Sequence, residues 1–327
     1  MTVVLSIDQG TSGTKAVVVD HDGAVLALSE VTIRPAYLPG GGVEQDPLVL
    51  LDSVLTAGRQ AADQARVPLD AVTLANQGET VLAWDLATGA PLSKMIVWQD
   101  RRSESICAEL RPSAELIAQR TGLVLDPYFS APKQAWIRRN ITTDGVVTTS
   151  DSWLLYKLTG EFITDASTAS RSLVLDLDTG TWDPELLELF GLGGERLPRI
   201  LSNTEIAGTT TAFGSGDVPV GGLIVDQQAA LVAERCLAVG EAKCTFGTGA
   251  FLLANTGTTA VRSGAGLSSS IAWQHDGENI YCLDGQIYAA GAAVRWLQQL
   301  TFIDGAQDLD LVAAEDADGV IDRKSVV

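Results

Sequence analysis

The stretch of this chain closest to phosphate chemistry is Asp8-Gln9-Gly10-Thr11-Ser12-Gly13-Thr14-Lys15. It follows the apolar run Val3 to Ile7 and precedes Ala16-Val17-Val18-Val19-Asp20, so a hydroxyl-lined, glycine-rich reversal joins two strand patterns. A carboxylate at a strand end, here Asp8, can hold Mg²⁺ through water, and Gly10 lets backbone N–H groups approach phosphate oxygens unobstructed. Thr11 and Ser12 add hydroxyls and Lys15 adds positive charge. An ordinary tight turn solvated by Ser and Thr has the same letters, and this loop in isolation does not choose between the two. A second reversal, Gly247-Thr248-Gly249, breaks the apolar stretch Lys243 to Ala254 and predicts another hairpin with a phosphate-sized tip. Two such hairpins suit a two-lobed nucleotide-binding protein that places one on either side of a cleft.

The elements that must hold these residues are legible in outline. Residues 2 to 33 predict three successive strands, Val3 to Ile7, Ala16 to Asp20 and Ala24 to Ile33, with a turn at Asp22-Gly23. Asp46 followed by Pro47 predicts a helix start, with Leu48, Leu51, Leu55 and Ala62 as its buried face. Short strands follow around Val72 to Ala75, Val81 to Trp84 and Met95 to Trp98. Helical patterns dominate from Arg101 to Leu158, with breaks at Gly122, Pro127 and Pro132. Further helices begin at Asp183-Pro184, at Asp226 running to Ala238, and at Ile287 running to Leu300.

The chain has 327 residues, 46% of them hydrophobic, enough for a large core and for two domains. The net charge of −19 argues against nucleic-acid backbones and anionic membranes as partners, so a bound nucleotide needs local dipoles and a metal ion. No secretory pattern or membrane-length apolar run is present, which predicts a cytoplasmic protein. The cysteines Cys107, Cys236, Cys244 and Cys282 form no CxxC pair, and the only histidines are His21 and His275, which disfavours zinc or disulfides. The apolar neighbours of Cys107, Cys236 and Cys282 predict buried free thiols.

Four polar clusters are the most specific feature: Asn76-Gln77-Gly78-Glu79, Trp98-Gln99-Asp100-Arg101-Arg102, Asp126-Pro127-Tyr128-Phe129-Ser130 and Asp226-Gln227-Gln228. With the two hairpins, Thr164-Asp165, Ala169-Ser170-Arg171 and Gly257, they resemble in collinear order the FGGY family of carbohydrate kinases, within it the glycerol kinases, from Val3 to about Leu300. The resemblance implies an α/β, ribonuclease-H-like (actin-like ATPase) fold, a mixed sheet flanked by helices with the start of a second similar lobe. It divides the chain into an N-terminal domain, 1–238, and an incomplete second one, 239–327. It implies ATP and Mg²⁺ as cofactors and γ-phosphoryl transfer to a hydroxyl of a small polyol or sugar, a reaction that needs a carboxylate to take the hydroxyl proton. Asp226 is the implied base, and its place at a helix start favours the ionised form. Asp8 is the implied metal ligand. Gly10, Thr11, Ser12, Lys15, Gly247, Thr248 and Gly249 are expected around the phosphates. Gly78, Glu79, Trp98, Tyr128, Asp226, Gln227 and Phe251 are expected at the acceptor, with carboxylates accepting from hydroxyls and the aromatic rings covering C–H faces. Each has a plainer reading: Trp98 and Phe251 as core aromatics, Asp226 as a helix cap, Glu79 as a solvated turn residue, Tyr128 as a loop anchor.

Three departures from the family pattern bear on function. Gly78 stands where glycerol kinases carry an arginine that binds substrate hydroxyls, which leaves space for a polyol or ketose of four or five carbons, or, with water or another arginine filling the gap, leaves glycerol as the acceptor. Val225 replaces a glycine before the aspartate, and Lys15 stands where arginine is common. The final letters, Val320 to Val327, do not follow the family's next strand, so the chain reads as a C-terminally shortened kinase, weakly active or inactive alone and prone to self-association. A catalytically silent polyol-binding remnant and an actin-like ATPase are the competing readings.

Overall fold

The computed structural model describes residues 2–309 apart from Ser215 and Thr248, and apart from the side chain of Ala292. A six-stranded mixed sheet forms its centre, in the order Gly208–Thr210, Val218–Val225, Ala71–Asn76, Val3–Gln9, Gly13–Asp20, Val25–Thr32. The first three strands in sequence form the expected meander. Ala71–Asn76 runs parallel to both Val3–Gln9 and Val218–Val225, and the register sets Gln9 opposite Asn76 and Asn76 opposite Val225. Three parallel strands therefore end side by side, and the segments that leave them are the Gly10 hairpin, Gln77-Gly78-Glu79 and Asp226-Gln227. Carboxyl ends of adjacent parallel strands are where α/β sheets bind ligands, because the departing loops converge there.

Helix Pro47–Ala65 packs on this sheet. Asp46 caps it as expected, its carboxylate accepting from Leu48 N at 2.9 Å and Val49 N at 3.3 Å. Its buried face differs from the sequence reading: Leu50, Val54, Ala57 and Ala61 are inward, whereas Leu48 is exposed and Leu51 and Leu55 are only partly covered. The two stripes lie next to each other on the helix, and small residues were chosen where the helix approaches the sheet closely. At Gly58 a Cβ would sit 2.4 Å from the Phe213 ring.

A five-stranded sheet, Ala36–Leu38, Gly42–Gln45, Met95–Ile96, Val81–Trp84, Val146–Thr149, lies beyond the first, with Val146–Thr149 unforeseen within the helical stretch. The strand expected over 95–98 stops at Ile96. Pro132 does not interrupt a helix; it lies in the first turn of Ser130–Asn140, where a missing N–H costs nothing. A four-stranded antiparallel sheet, Ala242–Phe246, Ala250–Gly257, Glu278–Ile287, Ser268–His275, contains the expected second hairpin. Its strands 268–275 and 278–287 were not predicted, and they delay the last helix to Gly291–Gln299. The helix opening at Asp226 ends at Ala233, with Arg235 in the left-handed region at φ 60°. Cys107, Cys236 and Cys282 are buried free thiols, as read from their neighbours, and Cys244 is exposed. Among the described residues no helix is long and apolar enough to cross a membrane.

Candidate active site

A cavity of about 230 Å³ opens where the three parallel strands end. Its wall includes Thr11, Ser12, Trp98, Tyr128, Asp226, Gln227, Gly247, Gly249 and Phe251, nine of the residues singled out by sequence. Thr248 lies outside the described residues. Asp8, Gly10, Lys15, Gly78 and Glu79 are not on that wall.

The first hairpin is a turn closed by the Gly10 N–H donating to Gly13 O at 2.9 Å, so the Gly10 amide is already satisfied. Thr11 and Ser12 form the tip, and their own amides donate to no protein acceptor among the described residues. The tip is held from outside: Gln45 donates to Thr11 O at 2.7 Å and the Trp98 indole N–H donates to Thr11 Oγ1 at 2.8 Å. Trp98 is thus an anchor of the hairpin as well as an aromatic wall. Lys15 faces Asp8 and Glu30 across the strands and is exposed on the same sheet surface. In the second hairpin Gly247 donates to Gly249 O at 2.8 Å and accepts from Gly291 N at 3.0 Å. Glycine is needed at both contacts, since a Cβ on Gly249 would lie 2.6 Å from Ile287 O and one on Gly291 2.4 Å from Gly247 O.

Asp226 is the first residue of its helix, following Val225 in ordinary extended geometry at φ −67°. It is not the cap. Its Oδ1 accepts from Gln227 N at 2.7 Å and the carboxyl borders the cavity. The helix start does not keep it ionised as expected: burial, with Glu79 and Asp8 as the neighbouring charges, pushes its pKa up to about 7. Burial also raises the Asp8 carboxyl, against the pull of Lys15. Asp8 is close enough to act on Asp226, and the hard oxygen atoms of neighbouring carboxylates are of the kind that suit Mg²⁺.

Glu79 is neither solvated nor at a simple turn. It is buried, takes φ 43°, and is ion-paired with Arg171. Arg171 is itself buried, donates to Asp284 Oδ2 at 2.7 Å and to the Tyr128 hydroxyl at 3.3 Å, and stacks 5.5 Å from the Tyr128 ring centroid. A non-glycine residue in the left-handed region is held there only where surroundings over-determine it, and this buried pair does so. Tyr128 also packs edge-on to Trp98 at 5.8 Å, and Trp98 edge-on to Phe251 at 6.0 Å. The loop carrying Tyr128 is pinned by Lys133, whose buried ammonium donates to the carbonyls of Pro127, Tyr128 and Phe129, and by the Arg101–Asp126 pair at 2.9 Å. Arg171, Asp284, Lys133 and Lys243 were assigned no role from sequence. Arg171 was quoted only within a motif, and nothing local marks the other three.

Gly78 has φ 62°, and a Cβ there would lie 3.2 Å from Val225 Cγ1. Two of the departures seen in the sequence are therefore in contact. The space expected beside Gly78 is filled at its root by Val225.

The profile of the FGGY family of carbohydrate kinases, N-terminal domain, matches residues 3–233. A glycerol kinase of Alkalilimnicola ehrlichii is 40% identical over 333 residues, covering 96% of this chain and 67% of its own length. The crystal structure of Plasmodium falciparum glycerol kinase with ADP superposes with a TM-score of 0.87 at 32% identity, over 94% of this chain and 65% of that one. A ligand-bound xylulose kinase from Lactobacillus acidophilus superposes at 0.86 and 20% identity, over 96% and 66%, and shares the fold. The chain thus spans about two thirds of the length of these relatives. The expected ribonuclease-H-like, actin-like architecture holds. With the profile covering most of its length and the identity sustained along it, the chain belongs to the FGGY family of carbohydrate kinases.

Proposed function

We propose that this chain carries the acceptor and phosphate sites of a kinase that transfers the γ-phosphoryl group of ATP to a hydroxyl of a small polyol or sugar. The observation that carries the reading is the meeting of Asp226, the Thr11-Ser12 tip and the Trp98–Tyr128–Phe251 wall around one cavity. Residues 1–238 supply the acceptor side and the first hairpin, and 239–327 begin the second lobe. Its acceptor is glycerol or a four- to five-carbon polyol or ketose. Gly78 brings no guanidinium donors to the acceptor, and Val225 occupies the space, so a preference for longer acceptors rests on absent donors rather than on added room.

Each residue has a task its position supports. Asp226 accepts the proton of the attacking hydroxyl, which requires its ionised form. Tyr128 fixes another of the acceptor's hydroxyls at the cavity wall, Glu79 backs it through Arg171, and Trp98 and Phe251 cover the C–H face. The free amides of Thr11 and Ser12, with Gly247, Thr248 and Gly249, receive phosphate oxygens, and Lys15 adds positive charge nearby. Asp8 would hold Mg²⁺, which supplies charge neutralisation on the phosphoryl oxygens.

The test is ADP release with ATP, Mg²⁺ and a panel of glycerol, erythritol and xylulose, beside calorimetric binding of the same acceptors without nucleotide. Acceptor-dependent turnover that Asp226→Asn lowers by about 10²–10⁴-fold while acceptor binding persists is the expected result. Binding without turnover would favour a silent polyol-binding chain, and acceptor-independent ADP release an ATPase.

A further inference from the structure

Lys243 stands out among the buried ions as one that reaches across the molecule into the acceptor site. It belongs to strand Ala242–Phe246 of the four-stranded sheet and is buried. Its ammonium donates to Gln227 Oε1 at 2.6 Å and to Thr245 Oγ1 at 2.8 Å. Burial lowers its pKa from the usual lysine range, and the neighbouring charges of Asp226 and Asp284 pull the other way, toward the ammonium form. Gln227, by contrast, follows the central sheet directly through Asp226 and lines the cavity.

The pairing decides which way the Gln227 amide faces. An ammonium has donors only, so the atom against it must be the amide oxygen. The Nε2 group is then turned away from Lys243, and among the described residues it donates to no protein acceptor. Beside Asp226, an acceptor of protons, the cavity so gains a fixed donor. A donor and an acceptor on adjacent residues recognise a hydroxyl in both of its capacities, its oxygen accepting from Gln227 while its hydrogen points to Asp226.

We propose that Lys243 is a positioning residue for acceptor recognition, acting through Gln227 by locking its amide N–H group toward the substrate hydroxyl. This rests on the polyol-kinase reading above. The four-stranded sheet thereby sets the donor pattern of a site whose carboxylates belong to the other part of the chain. Without the ammonium the amide can turn over, and its oxygen would then confront Asp226.

The experiment is a double-mutant cycle read by calorimetric acceptor binding without nucleotide, using whichever of glycerol, erythritol or xylulose the unmodified chain binds most tightly. Lys243→Met and Gln227→Leu are each expected to weaken binding by about tenfold, and the double variant by no more than either one. Lys243→Gln, which keeps a donor for Gln227 Oε1 without the charge, is expected to stay within about threefold of the unmodified chain and carries the test where Lys243→Met fails to fold. Unchanged affinity in Lys243→Met, losses that multiply in the double variant, or a Lys243→Gln as weak as a folded Lys243→Met would overturn the proposal. An unmodified chain that binds none of the three acceptors would overturn the kinase reading, and this proposal with it.

Discussion

Residues 3–233 and the strands from Ala242 to Ile287 wall the same cavity but are built differently. The first part closes on itself, with Trp84, Trp153, Phe129 and Phe190 among its largest fully buried side chains. The second leaves Phe246 79% and Leu252 49% exposed, and its small buried cluster of Leu253, Ala272 and Cys282 is completed by Leu231 and Cys236 from the preceding chain. Contacts that join them include the apolar packing of Ala166 and Leu177 with Ile271 and Tyr281, the buried polar bridges from Arg171 to Asp284 and from Lys243 to Gln227, and backbone-anchored bonds such as Ile271 N to Ser170 Oγ and Ser269 N to Gly122 O. Deep packing fixes the acceptor side. Buried charged links are among the contacts that set the second sheet against it, and removing one leaves its partner unpaired out of water.

The sharpest way to break this contrast is Arg171→Met. It strands two buried carboxylates, Glu79 and Asp284, and is expected to cost about 3–5 kcal/mol in urea unfolding. A loss below about 1 kcal/mol would mean that apolar contact, not the bridge, joins the two parts.

Next in size is the pH response of the shared cavity. With the Asp226 carboxyl pushed up to about 7, turnover should fall about tenfold per unit as pH drops below that value. For stability the sign is opposite. A carboxyl raised above its unfolded value, near about 4, favours the folded state while protonated, and that contribution disappears as pH rises through about 7. Asp226→Asn should therefore unfold at higher temperature than the unmodified chain at pH 8, and the gap should close at pH 4. A constant gap would place the charge cost elsewhere.

At the base of the acceptor site, Gly78→Ala tests the Val225 contact. The left-handed φ and the 3.2 Å approach predict a loss of about 1–2 kcal/mol, reduced when Val225→Ala is added. Additive losses would show that the two positions are independent. The smallest effect belongs to the open face: Phe246→Ser should lie within about 0.5 kcal/mol of the unmodified chain, against about 3–5 kcal/mol for Trp84→Ala. A cost above about 1 kcal/mol would show that the face is covered in solution, and sedimentation would then reveal self-association.

Much of the site was legible because its pieces are short and local. A strand, a glycine-rich turn and a second strand specify the first hairpin within 18 residues, Val3 to Asp20, and Asp46-Pro47 specifies a helix start by cap chemistry alone. The buried face of that helix was misread because Leu48 is apolar but exposed; which of two neighbouring stripes turns inward depends on the sheet it meets. Strands 268–275 and 278–287 escaped because neither alternates: the first is buried at consecutive positions from Ser268 to Ala272 and both have polar ends.

By itself the sequence determined the chemistry available at three strand ends and two hairpins, since residue type and turn-forming spacing are properties of contiguous letters. Only the tertiary structure decided that Glu79 is a buried, Arg171-bound carboxylate rather than a solvated one, that Val225 fills the space beside Gly78, and that Lys243 faces Gln227. Those pairings join residues 92, 147 and 16 positions apart along the chain. No local propensity encodes them; they exist because parallel strands in register and a second sheet bring distant side chains out of water together, where an unpaired charge would be costly.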